Sequence, residues 1–114
     1  MRLIPRRSAL VAAALLIAAG LGGAPAGPAR AQGDATVTIK DFDFHPMDVA
    51  VPVGGSVTWK NLDGEPHTVT SLDGLFRSGA LDQGDSFTFK FVKAGTYRYL
   101  CSIHPKMVAT VTVK

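Results

Sequence analysis

The chain has 114 residues, 12 Lys+Arg against 9 Asp+Glu, a formal net charge of +3 and one cysteine. That length holds one domain at most, and a lone cysteine excludes an internal disulfide. The positive charge sits at the N-terminus, so it does not indicate nucleic acid or an anionic membrane as a partner.

Residues 1–31 read as a secretory signal peptide. Met1 to Arg7 carries three arginines and no acid, Ser8 to Gly20 is almost wholly apolar, and Ala29-Arg30-Ala31 ends the segment in a small-x-small pattern. The apolar run is short for a membrane span, which needs about 20 residues; an uncleaved anchor is the alternative reading. Arg6-Arg7 raises twin-arginine export, but Ser8-Ala9-Leu10 continues that motif imperfectly, and general secretion competes with it. Cleavage after Ala31 removes Arg2, Arg6, Arg7 and Arg30. Residues 32–114 then keep eight Lys+Arg against nine Asp+Glu, a net charge of −1. A free thiol in an oxidising compartment is a liability unless it is buried or bound to metal.

From Gln32 onward helical periodicity is absent, and short alternating runs are separated by turn signals, as in an all-β sandwich or barrel. Ala35 to Lys40 is a strand with Val37 and Ile39 on one face. Phe42 and Phe44 have the opposite parity, so a bulge near Lys40-Asp41 is expected to bring all four into one core. Asp48 to Val53 follows, with Val49, Val51 and Val53 inward and Pro52 confining it to an edge. Met47 is expected at the margin of the core, and His45 in a solvent-facing turn. Gly54-Gly55 turns the chain into Ser56 to Asn61, with Val57 and Trp59 inward. Asp63-Gly64-Glu65-Pro66 is another turn. His67 to Ser71 is a short strand with His67 and Val69 on one face. Residues 71–84 form an irregular loop. Asp85 to Phe91 points Phe87, Phe89 and Phe91 inward. Thr96 to Cys101 does the same with Tyr97, Tyr99 and Cys101, and Met107 to Lys114 with Met107, Ala109, Val111 and Val113.

The chemistry concentrates in Cys101-Ser102-Ile103-His104-Pro105-Lys106-Met107. A thiolate, an imidazole and a thioether within seven residues are a soft ligand set, suited to copper cycling between Cu(I) and Cu(II). A second imidazole is needed, and His67 is its natural supplier. Each of these side chains alone has an ordinary reading: Cys101 as a small buried hydrophobe, His67 as a hydrogen-bonded histidine, His104 as a loop residue, Met107 as core packing. Together, with His67, Cys101 and Met107 each extending the apolar stripe of a different strand, they point to a site at one end of the sandwich. Zinc fits this set poorly, since structural zinc sites usually carry two to four thiolates and catalytic ones keep an open position. A Cys101–His104 protease pair lacks an orienting third group and an oxyanion hole.

Further motifs carry a resemblance. Phe44-His45-Pro46 with Val49, Val51 and Gly54, Val57-Thr58-Trp59-Lys60-Asn61, Pro66-His67-Thr68-Val69, Phe76-Arg77-Ser78-Gly79 through Gly84-Asp85-Ser86-Phe87, and Gly95 to Cys101 followed by His104-Pro105 and Met107 together resemble a small cupredoxin of the amicyanin and pseudoazurin group. The two-residue gaps either side of His104 resemble the short amicyanin loop. Two departures stand out. Thr68 replaces the usual Asn that ties the first-histidine loop to the cysteine loop, and Ala109 replaces a usual Gly.

The resemblance implies an all-β, Greek-key β-sandwich of seven or eight strands over residues 32–114. It implies one copper ion held by His67, Cys101 and His104 as a trigonal set with Met107 as a weak axial ligand. The backbone N–H of Thr68 is the expected donor to the Cys101 sulfur. Such a site has no open position for substrate. The expected function is that of a periplasmic, monomeric one-electron carrier, not an enzyme, docking transiently with dehydrogenase or cytochrome partners. The alternative is a module that delivers or sequesters copper without electron transfer.

Overall fold

Alternating apolar and polar residues, rich in Val and Thr, build eight β-strands within residues 33–114, the part of the chain that the computed structural model describes. The expected signal peptide lies outside the described residues. In chain order the strands are β1 (Asp34–Lys40), β2 (Asp43–His45), β3 (Asp48–Val51), β4 (Ser56–Asn61), β5 (Thr70–Ser71), β6 (Ser86–Lys90), β7 (Gly95–Leu100) and β8 (Val108–Val113).

They form two four-stranded sheets, ordered β2-β1-β4-β6 and β3-β8-β7-β5. Each sheet contains one parallel pair that joins distant stretches of chain. In the first, β1 runs beside β4 with Val37 opposite Trp59; in the second, β3 runs beside β8 with Val51 opposite Val113. The inner faces meet in one core. Val37, Ile39, Phe44, Val57 and Trp59 come from the first sheet, and Val51, Tyr97, Tyr99, Ala109, Val111 and Val113 from the second. Aromatic rings lock the layers together. Trp59 and Phe44 both meet Tyr99 edge-on across the sandwich, with centroids 5.4 and 4.8 Å apart, and Phe76 lies over Trp59 at 5.6 Å. Edge-to-face pairs of this kind contribute about 0.5–1.5 kcal/mol each beyond their burial. The all-β sandwich expected from the sequence is the fold observed.

Four local expectations are corrected. Phe42 does not enter the core and is 49% exposed. No bulge carries it inward, because Asp41 and Phe42 both adopt left-handed backbone (φ 55° and 59°) and form a two-residue hairpin turn between β1 and β2. Val53 is also half-exposed, since β3 ends at Val51 and the chain turns through Gly54, whose φ of 91° suits glycine. Met47 is half-exposed rather than at the core margin. The strand expected from His67 is broken: His67 makes only an isolated bridge to Leu81, and pairing with β7 begins at Thr70. His67 and Val69 are nevertheless both fully buried, as their shared parity required.

Candidate metal centre

β7 ends just before Cys101 and β8 begins just after Met107, so the seven-residue connection 101–107 must turn within the width of one strand pair. Backbone bonds fold it tightly. The Cys101 N–H donates to the Met107 carbonyl (3.1 Å), the His104 N–H to the Cys101 carbonyl (3.2 Å) and the Met107 N–H to the His104 carbonyl (2.9 Å). This closure fixes Cys101, His104 and Met107 relative to one another before any ion is considered. Cys101 is fully buried and Met107 nearly so, whereas His104 is partly open to solvent.

His67 arrives from a separate loop that buried Asn61 organises. The Asn61 amide donates to the carbonyls of Glu65 (2.9 Å) and Leu81 (2.8 Å), and its oxygen accepts the Asp63 N–H (2.9 Å). His67 and Leu81 then exchange a reciprocal pair of backbone bonds. The side chain of Asp63, missed in the sequence reading, completes the presentation. Its carboxylate accepts from His67 Nε2 at 2.8 Å. A carboxylate can only accept from that nitrogen, so Nε2 carries the proton and the Nδ1 lone pair is left for a ligand. Burial alone would raise the Asp63 carboxyl. The N–H groups of Phe42 and Asp41 and the His67 imidazole outweigh burial and hold it below the ordinary carboxylate range. The only sequence signal for Asp63 is an acid four residues before a histidine, across a turn.

The same carboxylate accepts the backbone N–H groups of Asp41 (2.7 Å) and Phe42 (2.9 Å), clamping the left-handed turn. Phe42 therefore stands at the site. Its ring meets His67 and His104 nearly perpendicularly, with centroids 5.2 and 5.0 Å apart.

The three strongest donors converge. Cys101 Sγ lies 3.7 Å from His67 Nδ1 and 3.6 Å from His104 Nδ1, and all three ligand atoms fall within 4.8 Å of one another. Two donors on one ion, with bonds of about 2.0 Å to nitrogen and 2.3 Å to sulfur, stand roughly 3.5–4 Å apart. The observed spacing fits one small metal ion. A single thiolate with imidazoles and a neighbouring thioether is the donor set of a soft redox metal rather than of magnesium or calcium.

The sulfur accepts a hydrogen bond from the Thr68 backbone N–H at 3.3 Å, as the sequence suggested. Thr68 also ties the two loops together. Its hydroxyl accepts the Ser102 N–H at 2.7 Å and lies 2.9 Å from the Ser102 hydroxyl. His45 stays apart from the cluster, exposed, with Nε2 3.0 Å from the Lys40 carbonyl. Ala109 pairs regularly with Tyr99 between β8 and β7.

Known proteins resemble this chain in sequence and fold. Over 89 residues the chain is 33% identical to amicyanin from Paracoccus denitrificans, spanning 74% of this chain and 68% of that protein. The purple cupredoxin from Nitrosopumilus maritimus superposes with a TM-score of 0.65 and 36% identity over 70% of this chain and 99% of that one. A reduced Cu(I) form of an amicyanin variant gives a TM-score of 0.68 and 29% identity over 74% of this chain and 85% of its own. Residues 9–113 match the family model described as the cupredoxin-like domain, and the chain belongs to the cupredoxin family.

Proposed function

We propose that His67, Cys101, His104 and Met107 hold one copper ion, and that the chain is a one-electron carrier rather than an enzyme. The observation that carries this reading is a set of inward-facing donors fixed by the protein itself. The Cys101 sulfur sits between two imidazole nitrogens, one oriented by Asp63, on a backbone closed by its own hydrogen bonds. Copper bound there would supply a Cu(I)/Cu(II) couple, and Met107 and the Thr68 N–H to sulfur would tune it. A shell fixed in advance need not rearrange between oxidation states.

His104 is the one of the three convergent donors that solvent reaches. Half-exposed Phe42 touches it and half-exposed Ile103 precedes it, so a partner would meet an apolar rim around a ligand ring. Small, transient contacts suit redox encounters. The reading places the protein in the periplasm as a monomer, exchanging electrons with dehydrogenase or cytochrome partners.

The test is the visible and EPR spectrum of the purified protein with one equivalent of Cu(II). An intense thiolate-to-copper band with narrow copper hyperfine splitting, lost in Cys101→Ser, is expected. A pale tetragonal spectrum, or reduction to bound Cu(I) without a coloured form, would overturn the carrier reading in favour of copper delivery or sequestration.

A further inference from the structure

Two adjacent non-glycine residues in left-handed backbone are an uneconomical way to build a hairpin turn. Such turns favour Asn-Gly or Asp-Gly, because a Cβ is strained against the backbone in that region. Here Asp41 is followed by Phe42 at φ 59°. A large aromatic also spends its apolar surface poorly when half of it faces solvent. Strain that persists at a site asks what the strained residue does there.

Phe42 projects from the turn onto the ligand set. It is the only described side chain whose ring meets both His67 and His104 edge-on. Its backbone N–H is held by Asp63, the residue that orients His67. One carboxylate thus fixes a ligand imidazole and the base of the ring that packs against that imidazole and its neighbour. His104 has no carboxylate partner among the described residues: its ring meets the Cys101 sulfur, the His67 ring and Phe42.

We propose that Phe42 is a positioning residue of the metal centre, an aromatic strut on the Asp63-clamped turn that holds the His104 imidazole in its ligating orientation and excludes water between the two histidines. The proposal rests on the copper reading above and names a determinant of that site's retention and potential. Water admitted to the site would favour the more highly charged Cu(II) over Cu(I), so losing the ring should lower the potential. The edge-to-face contact with His104 corresponds to a roughly two- to tenfold change in the equilibrium between held and released imidazole.

The turn geometry supplies the discriminating variant. Phe42→Gly deletes the ring while glycine accepts the left-handed backbone without steric strain, a relief that offsets its greater loss of freedom on folding. The metal-free variant should melt at or near the wild-type temperature. Its potential should fall, and it should lose Cu(I) to a chelator roughly two- to tenfold faster. Phe42→Tyr, which keeps the edges, should restore both. An unchanged potential and release rate in Phe42→Gly would overturn the proposal. So would a large loss of metal-free stability, because Phe42 would then be a structural residue. If the wild type takes up no copper, the carrier reading fails, but the metal-free arm still decides this one. Ring-to-ring NOEs from Phe42 to His67 and His104 are expected in the wild type, with His104 resonances averaged in Phe42→Gly. Their absence from the wild type would refute the strut itself.

Discussion

Thr68→Val replaces a hydroxyl by a methyl of nearly the same shape and so removes the tie between the two ligand loops, together with that hydroxyl's local bond to the Thr70 hydroxyl at 3.1 Å. Thr68 is 6% exposed, and its oxygen accepts the Ser102 N–H at 2.7 Å while sharing a hydrogen bond with the Ser102 hydroxyl at 2.9 Å. Ser102 itself is exposed, so its hydroxyl can turn to water. Its N–H, in a partly buried bond, cannot do so freely. A typical hydrogen bond contributes about 0.5–1.5 kcal/mol net, and an orphaned buried donor costs about 1–3 kcal/mol. The partial exposure of Ser102 places the expected loss at about 1–2 kcal/mol. For a domain of this size that lowers the melting temperature by roughly 5–15 °C. Calorimetry on metal-free protein measures the tie without the metal's own contribution to stability, and Thr68→Ser should recover most of the loss. The valine variant should also broaden the distribution of copper environments seen by EPR, because the loop carrying the N–H donor to sulfur is loosened. A valine variant as stable as the wild type, with an unchanged spectrum, would refute the assignment of Thr68 as the tie.

Other predictions follow the same physics. Asp63→Ala strands three donors, the N–H groups of Asp41 and Phe42 and the His67 imidazole; urea denaturation of metal-free protein should show a loss of about 2–4 kcal/mol. Gly55→Ala should destabilise strongly although Gly55 has no left-handed backbone, because a Cβ would run into the Gly33 carbonyl oxygen; a thermal melt close to wild type would count against the close approach. Burial, reinforced by the charge of Asp48 and opposed by Trp59, pushes the Tyr99 phenol up from 10.0 to about 12. The folded state therefore holds that proton more tightly than the unfolded one. The associated stability is complete below pH 10 and lost as pH rises toward about 12, so metal-free Tyr99→Phe should lose less stability than wild type across that interval.

Much of this molecule is visible in its alternation. Val57 and Trp59, Tyr97 and Tyr99, and Val111 and Val113 share faces because a strand offers no other choice, and each of these pairs is buried. The same parity brought His67, Cys101 and Met107 inward. What escaped the sequence was set by the backbone between strands. Phe42 looks like a core residue because aromatic side chains usually are, and nothing in Lys40-Asp41-Phe42-Asp43 announces two consecutive left-handed residues in place of a bulge. Val53 misleads for a related reason: the alternation continues through it, but the chain has already begun to turn. Asp63 is the deeper omission. Its importance comes from three donors brought together by the folding of two separate turns, and neither local pattern contains the other. Thr68 was legible only as a departure from the Asn that the resemblance implies; that its hydroxyl makes the tie depends on how the two loops fold together.

The parallel pairing of β3 with β8 has a consequence for how the protein is made. Val51 finds its partner Val113 only after 62 further residues have emerged. Moreover β8 is an interior strand of its sheet, flanked by β3 and β7. No shorter nascent chain can finish that sheet, and three of the four proposed ligands lie immediately ahead of the missing strand. Pairings this distant slow folding toward the millisecond-to-second range. An incomplete chain is consequently a poor competitor for metal. Assembly of the metal site is thereby scheduled as a late event, after synthesis of the strand that closes the sandwich.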